Sequence, residues 1–97
     1  MSSYRYQFPE TKFVPENTPS RMAQAFKILD EAEEVAVEVY NDGLAVREVE
    51  ECLDVIVSCE TLLRSYPPKI VQDAYDLVVS KNRNRGYWKA QKDLPLY

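Results

Sequence analysis

Asn41-Asp42-Gly43 divides the middle of the chain into two long segments of helical period. Upstream, Met22, Phe26, Leu29, Ala32, Ala36 and Val39 recur at i, i+3 and i+4, the mark of an amphipathic helix. Downstream, Val49, Cys52, Leu53, Ile56 and Leu63 do the same, widened by Val55, Val57, Cys59 and Leu62. A turn between two such segments dictates a helical hairpin, with Gly43 expected as the left-handed stop. The hairpin carries two carboxylate pairs at one helical turn's spacing, Glu31-x-x-Glu34 and Glu51-x-x-Asp54. Antiparallel packing brings such pairs towards each other.

The boundaries follow from local chemistry. Thr18 is expected as N-cap and Pro19 as the first helical residue, giving a first helix over 18–40. The second, over 44–66, stops before Pro67-Pro68. The third, over 68–85, has Ile70, Ala74, Leu77 and Val78 on its apolar face and Gly86 as C-cap. Residues 1–17, interrupted by Pro9 and Pro15, read as an extended arm laid over a partner or as a loosely attached terminus. Residues 87–97 read as an extended tail. The expectation is a single all-α domain, an antiparallel bundle of three main helices with its helical core over 18–86. A chain of 97 residues buries only a small core, so homo-oligomerisation is expected to complete the bundle.

Sixteen acidic against twelve basic residues leave a net charge of −4. That argues against stable nucleic-acid binding or an anionic-membrane footprint. No apolar run reaches the roughly 18 residues of a membrane span. The start, MSSYRYQFPETKF, lacks a signal peptide's apolar core, so a cytoplasmic protein is expected. Cys52 and Cys59 on one helix lie about 10 Å apart along its axis, beyond the roughly 7 Å between Cα atoms that a disulfide tolerates. Both are expected as reduced core thiols, a bridge between two copies being the alternative. Histidine is absent. This removes His-based zinc sites, Ser-His-Asp and Cys-His catalysis and Glu-x-x-His di-iron bundles. Chemistry falls to carboxylates, Lys, Arg, Tyr or metal-bound water.

From Cys52 to Cys59, Asp54 is the only charged residue, so apolar side chains are expected around it. A charge in that setting is costly unless paired or metal-bound. Carboxylates converging from two helices form an oxygen-only donor set, which selects Mg²⁺ or Mn²⁺ over zinc. The competing account of Glu31 and Glu34 is a solvated acidic face. Near the end, Lys81-Asn82-Arg83-Asn84-Arg85-Gly86-Tyr87-Trp88 gathers three cations, two amides and two aromatics. Lys81 and Arg85 suit a phosphate, Asn82 a sugar or base, and Tyr87 or Trp88 a stacked ring. The plainer alternative is a charged helix end that complements the macrodipole.

At these residues the chain resembles the MazG-like all-α nucleoside triphosphate pyrophosphohydrolases. That family's pattern is E-E-x-x-E, a spacer of a dozen or more residues, then E-x-x-D. Asp30-Glu31-Ala32-Glu33-Glu34 corresponds to the first part, with Asp30 in place of the leading Glu. Sixteen residues follow, then Glu51-Cys52-Leu53-Asp54. Lys27 sits where the family often has Lys. Lys81-Asn82-x-x-Arg85-Gly86-Tyr87 is similar to the K-N-x-x-R-G-Y ending of short, often phage-encoded, members. The resemblance covers about residues 20–88. In place of the family's longer N-terminal helix stands the Pro-broken arm.

The resemblance implies hydrolysis of an NTP or dNTP to its monophosphate and pyrophosphate by a homo-oligomer, a dimer or a dimer of dimers. A phage-encoded member would act in the host cytoplasm. It implies Glu31, Glu34, Glu51 and Asp54 as ligands of Mg²⁺, and Glu34 as the base for water attacking the α-phosphorus. Lys81 and Arg85 would neutralise the leaving pyrophosphate. Lys27, Asn82 and Tyr87 would contact the nucleotide, and Asp30 and Glu38 would stand behind the ligands. One rival is a non-catalytic helical dimerisation module, which accounts for the apolar faces and leaves Asp54 unexplained. Another is a nucleotide-binding protein with weak or no turnover, for which the Asp30 replacement speaks.

Overall fold

A computed structural model describes residues 3–89. Among them the chain forms three helices and no strand, α1 (Thr18–Tyr40), α2 (Ala45–Leu63) and α3 (Pro68–Asn84). The all-α class is as expected, and α1 packs closely on α2. The chain divides into two compact units. One, Tyr6–Ser65, holds the arm and the α1–α2 hairpin; the other joins Met1–Arg5 to Tyr66–Tyr97 and holds α3. Residues 90–97 of the expected tail lie outside the described residues. Among the described residues no helix is long and apolar enough to cross a membrane.

The cap of α1 is Asn17, one residue before the expected Thr18. Asn17 Oδ1 accepts the Ser20 N–H at 2.9 Å, and Ser20 Oγ accepts the Asn17 N–H at 3.1 Å. This reciprocal pair satisfies two amides that the first turn leaves open, and Pro19 within that turn has none to satisfy. At the other end, Gly43 N–H donates to Glu38 O and Asp42 N–H to Val39 O, a Schellman motif. Its left-handed residue is Asp42 (φ 54°), not the expected Gly43. A short polar side chain tolerates that conformation. A Cβ added at Gly43 would meet the flexible end of the Glu38 side chain, which would have to swing aside. Helix α2 ends at Leu63, short of the expected Tyr66, where Ser65 N–H and Oγ both donate to Leu62 O. Helix α3 ends in a second Schellman motif with Gly86 (φ 74°) at its left-handed position, as expected.

The hairpin seam differs from the expected core. Gln24, Ile28, Glu31, Val35 and Glu38 on α1, and Glu51, Val55, Ser58 and Leu62 on α2, are among the buried or half-buried positions. Met22, Phe26 and Leu29 are 55, 60 and 62% exposed, and Ala32, Ala36 and Val39 are exposed with them. On α2, Val49, Cys52, Leu53 and Ile56 are likewise exposed. Both helices have more apolar circumference than one two-helix seam covers, so periodicity finds a stripe without saying what covers it. Cys52 is therefore no core thiol, whereas Cys59 is half-buried, its thiol pushed up by burial and by the neighbouring Glu60 charge.

The arm docks on its own α2. Gln7 and Phe8 N–H donate to the two oxygens of Glu60, at 2.7 and 3.0 Å. Arg64 donates to Phe8 O at 2.6 Å and covers the Tyr6 ring at 4.1 Å. The Thr11 and Thr61 hydroxyls pair at 3.0 Å. In the other unit, Tyr4 N–H donates to Gln72 Oε1 at 2.8 Å and its ring meets Tyr75 edge-on. There the Trp88 indole N–H is committed to Val79 O at 3.0 Å.

Candidate metal centre

Glu31 lies on the α1 seam, and Glu51 and Asp54 lie one turn apart on α2. One carboxylate oxygen from each falls within 4.8 Å of the others. Antiparallel pairing with i, i+3 spacing is what gathers them. The burial falls on a different residue from the expected one. Asp54 is exposed, because it sits one turn along the helix and off the seam. Glu51 is half-buried, and its Oε2 is enclosed without a hydrogen-bond partner.

The Glu51 carboxyl titrates above the ordinary carboxylate range. The largest cause is its side-chain hydrogen bond with Glu34, then desolvation, then the charges of Glu34 and Asp54, partly opposed by Arg47. The neighbouring carboxylate charges disfavour ionisation of Glu51. Glu34 thus reaches Glu51 from α1 but stands outside the group of three. A cavity of about 510 Å³ opens beside them, with Asp30, Glu33, Glu34, Glu38, Glu51 and Arg47 on its walls. Five carboxylates against one guanidinium give it a field that draws cations.

The other expected site residues divide in two. Lys27 Nζ is 3.6 Å from Glu31 Oε1, so it already faces a carboxylate. Lys81, Asn82, Arg85 and Tyr87 lie on the last turn of α3 and its cap, in the other unit. There the Asn82 carbonyl accepts the Tyr87 N–H at 2.9 Å. Arg47, Gln24, Glu60 and Arg64 were not expected at any site. Acid–base spacings are the signals the charged ones carry: Arg47 to Glu50 and Glu51, and Glu60 to Arg64, the last suggesting a pair with each other.

The donor set suits a hard divalent cation. It is all oxygen, it comes from two rigid helices, and one member has an orphaned, enclosed oxygen. The fold and the site define a class: an all-α chain whose helical hairpin gathers a carboxylate cluster. Comparison with protein-family models, with curated proteins and with solved structures finds no match to the chain.

Proposed function

We propose that this chain is a metal-dependent nucleoside triphosphate pyrophosphohydrolase of the MazG-like kind, acting as a homo-oligomer. One observation carries the reading: Glu51, with an enclosed oxygen that has no hydrogen-bond partner, lies within reach of Glu31 and Asp54. A polar group held that way opposes folding unless something binds it. Glu31, Glu51 and Asp54 would hold Mg²⁺ or Mn²⁺. When bound, such an ion supplies positive charge against a triphosphate and acidifies water.

The chain's own residues have the following parts. Glu34, exposed at the acidic cavity and in contact with Glu51, takes the proton of the attacking water. The water oxygen bonds to the α-phosphorus as the bond to the bridging oxygen breaks, and pyrophosphate leaves. Asp30 and Glu38 line the same cavity and add to its field. The parts of Lys81, Asn82, Arg85 and Tyr87 in binding nucleotide rest on the sequence resemblance alone. The exposed stripes, Met22, Phe26 and Leu29 on α1 and Val46, Val49, Leu53 and Ile56 on α2, favour a second hairpin packed across them.

The test is incubation with each NTP and dNTP, in Mg²⁺ and again in EDTA, with pyrophosphate and orthophosphate assayed separately. Metal-dependent pyrophosphate release, lost in Glu51→Gln, is expected. Orthophosphate alone would place attack at the γ-phosphorus and refute the mechanism. No product from a folded, oligomeric sample would leave a non-catalytic helical module.

A further inference from the structure

A second cavity, about 360 Å³, lies between the arm, α1 and α2, with Phe13, Gln24, Lys27, Ser58 and Thr61 on its walls. That volume is in the range of small-molecule sites, ~300–1,000 Å³. The cavity belongs to the same unit as the carboxylate cluster and adjoins it through Lys27, which lines the cavity and pairs with Glu31. Gln24 is two turns from Glu31 on α1, and Ser58 is one turn from Asp54 on α2. The two sites are therefore offset by about 6–10 Å along the hairpin, close to the length of a pentose with its first phosphate.

Gln24 is the least explained residue here. It is a primary amide, 4% exposed, in the middle of a helical seam. Its Nε2 donates to Ser58 O at 2.9 Å. That uses one of two N–H groups, which leaves the other N–H and the lone pairs of the carbonyl oxygen as hydrogen-bonding capacity. One N–H and one C=O from the same amide form an adjacent donor–acceptor pair. Such a pair matches the amide-like edge of a heteroaromatic ring, as in bidentate recognition of adenine by Gln. Phe13 lines the same cavity, keeps half its surface exposed and offers an aromatic face for stacking. The arm that carries Phe13 is held on α2 by Glu60 and Arg64 through main-chain groups and by the Thr11–Thr61 hydroxyl pair.

We infer that the cavity under the arm is a nucleobase subsite, in which Gln24 reads the ring's donor–acceptor edge and Phe13 stacks on its face. The identity of the ring as a nucleobase rests on the pyrophosphohydrolase reading of the adjoining carboxylates. Gln24 is thereby the residue that sets base preference, and the arm is part of the binding site.

The experiment uses nucleosides, which lack the phosphates that the carboxylate site would engage. The ¹⁵N-labelled full-length chain is titrated with adenosine, guanosine, cytidine, uridine and thymidine in EDTA and again in Mg²⁺. At least one nucleoside is expected to shift the Gln24 side-chain amide and the Phe13 and Thr61 backbone amides, equally with and without metal. Gln24→Met should weaken that nucleoside by about tenfold or more. Phe13→Ser, which leaves the helices untouched, should weaken every nucleoside by a similar factor and carries the test if Gln24→Met does not fold. Shifts away from this cavity, or variants that bind as the unmodified chain does, overturn the subsite, even where triphosphates still yield pyrophosphate. Nucleoside binding at Gln24 without pyrophosphate release from any triphosphate keeps the subsite and removes the hydrolase.

Discussion

Glu60→Ala removes the acceptor of two arm amides at once. The carboxylate is 1% exposed and receives Gln7 N–H at 2.7 Å and Phe8 N–H at 3.0 Å. A hydrogen bond to a charged group contributes about 1.5–3 kcal/mol, so the pair contributes about 3–6 kcal/mol. The lower figure applies, because the arm can lift. Once it lifts, water satisfies both amides and no orphan remains buried. The loss then lies at the low end of that range, about 3 kcal/mol. For a domain of this size that is a fall in Tm of roughly 12–24 °C. The assay is thermal unfolding with hydrogen exchange of the Gln7 and Phe8 amides, which should pass from protected to nearly free exchange. Glu60→Gln keeps one acceptor oxygen and should fall between. Unchanged Tm with both amides still protected would refute the docking of the arm on α2, and with it the Phe13 wall of the cavity.

Other outcomes are as specific. Mg²⁺ at a hundred times its Kd should stabilise the chain by about 2.7 kcal/mol, roughly 10–20 °C in Tm, and Glu51→Gln should abolish the rise; no rise in the unmodified chain refutes the metal centre. In EDTA, Glu51 titrates higher in the folded chain than its ordinary 4.5. A raised carboxyl stabilises the fold fully below the ordinary value, and that contribution disappears as pH rises through the folded value. Urea midpoints should therefore fall upwards of pH 4.5, and a Glu51→Gln profile parallel to the unmodified one would rule this out. Asp42→Gly should stabilise by about 1 kcal/mol, since it relieves a left-handed φ of 54°; a loss of stability would mean that the Asp42 side chain matters more than its backbone. Phe26→Glu, on an exposed α1 stripe, should shift the chain towards monomer by size-exclusion chromatography with light scattering, and an unchanged mass would place the oligomer interface elsewhere.

Helices were legible in the sequence because their causes are local. The period of α1 and α2, the Pro and Asn-Asp-Gly punctuation and the Gly86 cap all act within a few residues. Even so, Asn17 displaced Thr18 as cap and Asp42 displaced Gly43 as the left-handed residue, because several polar or small neighbours compete for each position. Glu31, Glu51 and Asp54 were legible as a group, since two i, i+3 pairs on an antiparallel hairpin have few places to go. The burial of Glu51 rather than Asp54 was not, because the two differ only in which side of α2 turns inward.

That choice belongs to tertiary pairing. Met22, Phe26 and Leu29 form the stronger apolar stripe of α1, yet Gln24, Ile28 and Glu31 face α2. The amino-acid pattern states how much apolar surface a helix has, and packing decides which side a single neighbour covers. Glu60 shows the same limit at greater range: its partners are Gln7 and Phe8, more than fifty residues away. By itself the sequence determined the helices, the turn and the convergence of carboxylates, which follow from forces acting over one or two turns. The inward amide of Gln24, the orphaned oxygen of Glu51 and the docked arm were decided only by the folded chain, where burial assigns each polar group its partner.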